Sequence, residues 1–419
     1  MKVFKFGGAS VKDASSVKNI ASILKTYTDD LVVVISAMGK TTNALELVLD
    51  AYMSGEKLRA ITALGGIREY HTAIARSLIP AGHALFDELE NIFTGIEQKL
   101  DHTPTKSFNQ EYDQLVSWGE IISTIIVSNY LNHIGVINQW ADARQFVKTD
   151  GTFREARIDW DISDRLMKEK FNFRHARLYV TQGFIGSTVN NLITTLGREG
   201  SDYTAAILAF VLSAESVTVW KDVPGVLNAD PKWFDETIRL EKISYIDAIE
   251  LAYYGASVIH PKTIQPLKNK SIRLYVKSFL HPSDPGSVIG EDDYEKLIPS
   301  FIFKMDQVLI HIHPSDFSFI AEDNLEKIFR CFAGYGLKIN LMQNSAVSFD
   351  VCVNNDRSRL PGIRSDLEKD FRVTFTTGLE LITIRYYDDD TIKRVLVNKD
   401  LLLSQRTKST IQMVVKDLG

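Results

Sequence analysis

Lys5-Phe6-Gly7-Gly8 sets a lysine and two glycines where a short strand, Lys2–Phe6, gives way to an amphipathic stretch from Val11 to Tyr27. Glycines at such a junction let backbone N–H groups approach a phosphate, and the following helix adds positive potential. A lysine there can balance charge on a transferring phosphoryl group. The same residues also make an ordinary tight turn, and they are not a G-x-x-x-x-G-K-[ST] loop. A second cluster, Thr194-Thr195-Leu196-Gly197-Arg198-Glu199-Gly200-Ser201-Asp202, follows a strand region at Val180–Ile185 and opens a helix. Ser201 or Asp202 would cap that helix, but capping does not account for an arginine and two glycines in one loop. In a third, Trp220-Lys221-Asp222-Val223-Pro224-Gly225-Val226, a strand ends in a Pro-Gly turn, and Asn228-Ala229-Asp230-Pro231-Lys232 follows. It reads as a purine–ribose cradle or as plain turns. Ser117-Trp118-Gly119-Glu120 sets an acid at the head of an apolar helix, where a carboxylate also simply favours the helix dipole.

These groups need a scaffold that gathers them. Leu31–Ser36 is a continuous β-branched run, as expected of a parallel strand buried on both faces. Residues 41–100 read as helices, and a further helix is expected over Tyr112–Leu131. Val136–Trp140, Arg177–Phe184 and Ser216–Trp220 read as strands, and Ser201–Leu212 as a helix. Strands alternating with helices, with glycines at strand ends, predict an α/β fold with an open, mostly parallel sheet and ligands at the carboxyl ends of its strands. The Pro-, Gly- and acid-rich stretch His281–Pro299 reads as a linker. After it come a strand at Gln307–His313, a helix at Asp323–Tyr335, paired strands over Lys338–Val353, a helix near Leu360–Phe371 and a strand at Arg372–Thr377. That βαββαβ order is the α+β ferredoxin-like arrangement. A second such unit starts at Leu379 and is short. The expected division is 1–290, 303–378 and 379–419.

Composition narrows the class. Hydrophobic residues make up 45% and charged residues 24% of the chain, as in ordinary globular proteins. No apolar run approaches the roughly 18 residues of a membrane helix, and Met1–Phe6 carries no charged-then-apolar leader. A cytoplasmic protein without a membrane partner is expected. Cys331 and Cys352 lack metal-ligand spacing and read as two reduced thiols. A net charge of −5 argues against nucleic acid as a partner.

Taken in order, Lys5–Ser10 (KFGGAS), Ser117–Glu120 (SWGE), Gln182–Gly186 (QGFIG), Thr195–Asp202 (TLGREGSD), Trp220–Gly225 (WKDVPG), Gly255–Pro261 (GASVIHP) and Asp284–Ile289 (DPGSVI) resemble the motif series of aspartate kinases, in the amino-acid kinase superfamily. The resemblance spans about residues 2–289. From about Phe303 the tail resembles, more weakly, the ACT-type regulatory modules of that family. The resemblance implies the amino-acid kinase fold and Mg²⁺- and ATP-dependent phosphorylation of the side-chain carboxylate of L-aspartate, the first step toward lysine, threonine and methionine. It also implies a homodimer formed through the ACT-type modules. By this likeness Lys5 would steady the γ-phosphate and Asp202 would organise that lysine. Arg198 would pair with the substrate α-carboxylate, with Ser201 and Thr42 nearby, and Glu120 with its α-ammonium. Gly7, Gly8 and Ser36 would line the phosphate path. Lys221, Asp222 and Lys232 would flank the nucleotide, as would position 257, here Ser257.

The chemistry is coherent with that likeness. A carboxylate acceptor is already a nucleophile at neutral pH, so transfer needs positioning and cancellation of charge rather than a general base. An arginine and a glutamate together read a zwitterion. Mg²⁺ keeps waters and phosphate ligands, so no metal residue is assigned. The chain departs from the family pattern at Glu199, usually Gly, at Ser257, usually Lys, and at Ala9 and Lys221, commonly Thr. Lys221 is a candidate replacement for the charge absent at 257. These departures leave two alternatives: a kinase for another small acid, or a catalytically impaired amino-acid sensor. In lysine-responsive members the first ACT-type module presents two acids to the effector. Asn340 and Ala346 stand at the comparable positions, which implies weak or absent control by lysine or threonine.

Overall fold

The β-branched runs decide where the first sheet lies. In the computed structural model, which describes residues 1–234, 236–256, 259–291, 298–315 and 319–419, β1 (Lys2–Phe6) and β2 (Leu31–Ile35) pair in parallel at its centre. All five residues of β2 are buried, because a strand with no polar face must be covered on both sides. The other strands of this part of the chain are β3 (Gln139–Ala141), β4 (Leu178–Gln182), the antiparallel hairpin β5 (Ile185–Ser187) and β6 (Ile193–Thr195), then β7 (Ser216–Lys221), β8 (Lys242–Ser244), β9 (Arg273–Ser278) and β10 (Ser287–Gly290). Eight of them form one sheet in the order β3-β4-β2-β1-β7-β9-β10-β8, parallel except for the β9–β10 pair.

Helices α1 (Ala14–Lys25), α2 (Thr41–Met53), α3 (Lys57–Leu78), α4 (Leu85–Leu100), α5 (Phe108–Val116), α6 (Trp118–His133), α7 (Trp160–Lys170), α8 (Gly200–Val211), α9 (Tyr245–Tyr254) and α10 (Pro261–Lys268) join these strands. The single helix expected over Tyr112–Leu131 is two, broken at Ser117, because its halves are anchored separately. Asp113 near the end of α5 is tied to β6, whereas Ser123 of α6 donates to the carbonyl of Ser36 at 2.8 Å. The strand expected from Val136 begins only at Gln139. The Asn138 side chain takes up local polar groups instead, donating to the carbonyls of Ser128 and Val136.

The described residues divide into two units: Met1–Val226 with Arg239–Ile249 and Val258–Asp293, and Leu227–Ile238 with Glu250–Ser257 and Tyr294–Gly419. Two segments from within 1–290 thus group with the second unit. That unit contains β11 (Ser300–Pro314), α11 (Glu322–Gly334), β12 (Ile339–Asn344), β13 (Phe349–Asn354), α12 (Leu360–Leu367), β14 (Phe371–Arg385), α13 (Asp389–Val395), β15 (Lys399–Arg406) and β16 (Thr410–Asp417). Its sheet runs β12-β13-β11-β14-β16-β15. The 379–419 segment does not stand alone. Leu379 lies inside the 15-residue β14, and Ser300–Lys304, at the start of the 15-residue β11, supplies the strand that this half lacks. Two cores result. Ile310, Val351 and Phe371 pack with Ile328 and Phe332 of α11 and Ile363 of α12, while Phe301, Ile382, Ile384 and Met413 pack with Ile392 and Val395 of α13.

Candidate active site

In a parallel sheet the carboxyl ends of the strands share one edge, and here β4, β2, β1 and β7 are neighbours. That edge therefore carries Lys5 of β1, Ser36 after β2, Phe184 after β4 and Lys221 at the end of β7. All four line one cleft of about 700 Å³, together with Thr42, Glu120, Arg198, Glu199, Ser201 and Asp202. Phe6, next to Lys5 on the opposite face of β1, stacks on Trp220 with ring centroids 5.9 Å apart. The tryptophan of the third glycine-turn motif is thus core, 0% exposed.

Asp202 enters from the first turn of α8, and its carboxylate lies between two cations. Lys5 Nζ is 2.5 Å from Oδ1 and Lys221 Nζ is 3.6 Å from Oδ2. Burial alone would raise the Asp202 pKa, but the two ammonium groups hold it below the usual carboxylate range. Glu120, at the head of α6, is 3% exposed. Its Oε1 accepts the Ala37 N–H at 3.2 Å, while Oε2 is buried with no hydrogen-bond partner among the described residues. Burial pushes this carboxyl up to about 8, against the pull of the Ala37 N–H and the Lys5 charge. The site therefore holds a fixed cation pair on one carboxylate and a second carboxyl that is mostly protonated at neutral pH.

The remaining expected residues fall as follows. An ideal Cβ on Gly7 would lie 3.4 Å from Lys5 Nζ, and one on Gly8 would strike the Gly39 carbonyl at 2.8 Å. Close backbone approach thus fixes Gly8, whereas the space at Gly7 is bounded only by the far end of the Lys5 side chain, and neither glycine lines the cleft. Thr42 lines it, whereas Thr41 is buried and donates to the Met38 carbonyl at 2.6 Å. Asp222 is exposed and outside the lining. Lys232 is exposed on Leu227–Ile238, which groups with the second unit. Ser257 lies outside the described residues. Glu199 takes a left-handed backbone, φ +53°, at the cap of α8, which costs a non-glycine residue about 1 kcal/mol. Its Oε2 is buried without a partner among the described residues.

Several motif residues prove to be scaffold. Gln182 accepts from the Ala143 N–H at 2.7 Å and donates to Thr124 Oγ1 at 2.6 Å. A Cβ on Gly183 would meet Ser201 Cβ at 2.5 Å, so this glycine seats the start of α8. Gly225, at φ +151°, leaves room for Ser287 Oγ, which accepts the Val226 N–H at 2.8 Å. Two of the quoted motifs are therefore halves of one packed turn.

Sequence reasoning missed a further part of the cleft lining: Asn109 and Tyr112 from α5, the loop Thr152-Phe153-Arg154-Glu155, and Phe184. Asp113, 0% exposed, ties that loop to β6. It accepts the Arg154 N–H at 3.0 Å, the Thr195 N–H at 3.0 Å and the Thr195 hydroxyl at 2.7 Å. Burial nonetheless pushes its carboxyl up to about 6. The Asp150-Gly151 turn was the one local signal for this loop.

Residues 1–278 match the Amino acid kinase family. Lysine-sensitive aspartokinase 3 of Escherichia coli (strain K12) is 29% identical over 395 residues, 91% of this chain and 86% of its own length. Chloroplastic aspartokinase 1 of Arabidopsis thaliana is 30% identical over 409 residues, 91% of this chain and 70% of its own. The crystal structure of E. coli aspartokinase III in complex with aspartate and ADP aligns with a TM-score of 0.83 and 27% identity, over 99% of this chain and 96% of that one. With the family matched from Met1 through β9 and such relatives covered over most of their length, the chain belongs to the amino acid kinase family and, within it, to the aspartokinases.

Proposed function

We propose that this chain transfers the γ-phosphoryl group of ATP to the side-chain carboxylate of L-aspartate, giving 4-phospho-L-aspartate. The observation that carries the reading is the single cleft in which the Lys5–Asp202–Lys221 cluster meets Glu120 and Arg198. Asp202 holds the Lys5 ammonium beside the phosphoryl path, where it offsets charge on the transferring group without reorganising. Lys221 adds a second cation. Arg198 takes the substrate α-carboxylate, and Glu120 Oε2 takes the α-ammonium that fills its missing bond. The side-chain carboxylate then faces the γ-phosphate as an ionised nucleophile. Among the described residues no three acidic, imidazole or thiol groups converge as metal ligands. Mg²⁺ arriving with ATP would keep phosphate and water ligands and neutralise phosphate charge.

In the second unit, β11, α11, β12, β13, α12 and β14 follow the βαββαβ order expected of an ACT-type module, whereas the other half of the six-stranded sheet has four strands and, among the described residues, α13 as its one helix. Among the described residues the outer strands β12 and β15 leave one side of their ladders unpaired, and Met342, Leu401 and Leu402 are exposed there. Such edges suit pairing with a second copy, and a homodimer is the proposed assembly. No helix among the described residues is long and apolar enough to cross a membrane, which is compatible with a cytoplasmic enzyme at the head of lysine, threonine and methionine synthesis. The test is incubation with ATP, Mg²⁺ and hydroxylamine, which traps an acyl phosphate as a coloured hydroxamate. Product with L-aspartate is expected. Product only with another acid, or none, would overturn the reading.

A further inference from the structure

Arg154 is built into the cleft in a way that its local sequence does not require. Its backbone sits at φ +71°, a region that favours glycine, and its N–H is fixed by the buried Asp113. Its guanidinium carbon lies 4.4 Å from the centre of the Tyr112 ring and 5.9 Å from that of Phe108. Stacking of this kind engages the flat face of the group and leaves the N–H edge open. No hydrogen bond or ion pair to that edge forms among the described residues, and the same holds for Arg198. The two arginines come from adjoining loops. The Ala156 N–H donates to the Thr195 carbonyl at 2.9 Å, and a Cβ on Gly197 would lie 3.2 Å from the Arg154 carbonyl and 3.3 Å from Glu155 Cγ. Two exposed guanidinium forks, neither paired within the described residues, therefore line one cleft.

We infer that Arg154 is a second substrate-binding arginine, closing with Arg198 as a clamp on the α-carboxylate of the acceptor. This rests on the proposed phosphorylation of aspartate. A carboxylate offers about four lone-pair sites, enough for two forks. The acceptor's other carboxylate must face Lys5 to react, which leaves the α-carboxylate for the arginine side. Arg154 thereby selects acids that carry an α-carboxylate over those that present only an amine and a single carboxylate.

The test uses the full chain and two ligands, L-aspartate and its α-amide, which keeps the skeleton and loses the α-charge. Two variants are used. Arg154→Gly suits the left-handed backbone and should fold with an unchanged or higher Tm. Arg154→Lys keeps the charge over the ring and loses the fork. Calorimetric titration should show L-aspartate binding weakened about tenfold or more by Arg154→Gly and severalfold by Arg154→Lys. The weaker binding of the α-amide should change less than about twofold, and KM for ATP should stay put. Equal losses for both ligands, a loss confined to ATP, or no loss would each overturn the clamp while leaving the kinase reading intact. A folded wild-type chain that neither binds nor phosphorylates L-aspartate would overturn that reading, and the clamp with it.

Discussion

On the proposed reading, Glu120 makes substrate binding a proton-linked event. Its carboxyl is buried, its Oε2 is unpartnered among the described residues, and burial pushes its pKa up to about 8. The proposed α-ammonium partner needs the ionised form, so only the ionised fraction of the protein is competent. The apparent Kd is the intrinsic value divided by that fraction. With a pKa of about 8, the competent fraction is roughly 0.76 at pH 8.5 and roughly 0.03 at pH 6.5. L-Aspartate should therefore bind about 25-fold more weakly at pH 6.5 than at pH 8.5. At pH 7, binding should release close to 0.9 proton, measurable by calorimetry in two buffers of different ionisation enthalpy. Glu120→Gln should abolish the proton release, flatten the pH profile and weaken binding at pH 8.5 by more than about tenfold. The unliganded protein carries the opposite linkage. A carboxyl whose folded pKa is raised contributes stability fully below about 4.5, and that stability is lost as pH rises through about 8. The Gln variant should then melt higher than the parent at pH 8.5 in the absence of ligand. A Kd flat between pH 6.5 and 8.5, or wild-type affinity in Glu120→Gln, would refute the role assigned to this residue.

Lys5→Ala and Asp202→Asn should each lower kcat by about a hundredfold or more with little change in KM for aspartate, since the proposed role of both is to act on charge that grows in the transition state; near-normal turnover of either folded variant in the hydroxamate assay would remove the role. Glu199→Gly should relieve the left-handed backbone and raise Tm by roughly 2–4 °C by calorimetry. It should also lower KM for ATP severalfold by taking a carboxylate away from the phosphates, and an unchanged or raised KM would count against that placement. Lysine and threonine, each at about 10 mM and sub-saturating aspartate, should inhibit by less than half, because Asn340 and Ala346 supply no counter-charge. Stronger inhibition that a change at Gln343 or Ser345 abolishes would identify a working effector site in the first half of the second sheet.

Much of the site was legible because its chemistry sits where local signals are strongest. Lys5, Ser36 and Lys221 mark strand ends, and Arg198, Ser201 and Asp202 mark a helix start. β-branched runs and glycines declare such places within a few residues. What could not be read depends on contacts between distant segments. Nothing near Ser117 announces a break between α5 and α6, since it follows from Asp113 bonding to Thr195 and Ser123 to Ser36. The Asp150-Gly151 turn marks the Arg154 loop as a loop, but its place in the cleft follows from Asp113, for the same reason. The hairpin β5–β6 is too short for periodicity to resolve, each strand being three residues. In the tail, alternation gave the strand at Gln307–His313 but not its extension back to Ser300, where pairing with Arg385 rather than local pattern keeps the backbone extended.

That extension bears on how the gene can be cut. β11 and β14 pair along almost their whole length, with register shifts between Lys304 and Leu309 where one half of the sheet passes into the other. A product ending near Gly378 would not be a smaller module. It would keep Phe301 and Phe303 on β11 while losing Ile382, Ile384, Ile411 and Met413, the residues that cover them. An uncovered aromatic strand of that kind invites self-association. Nonsense codons late in the reading frame should therefore yield insoluble protein rather than a deregulated enzyme, and relief from any effector would have to come through substitutions that leave both long strands whole.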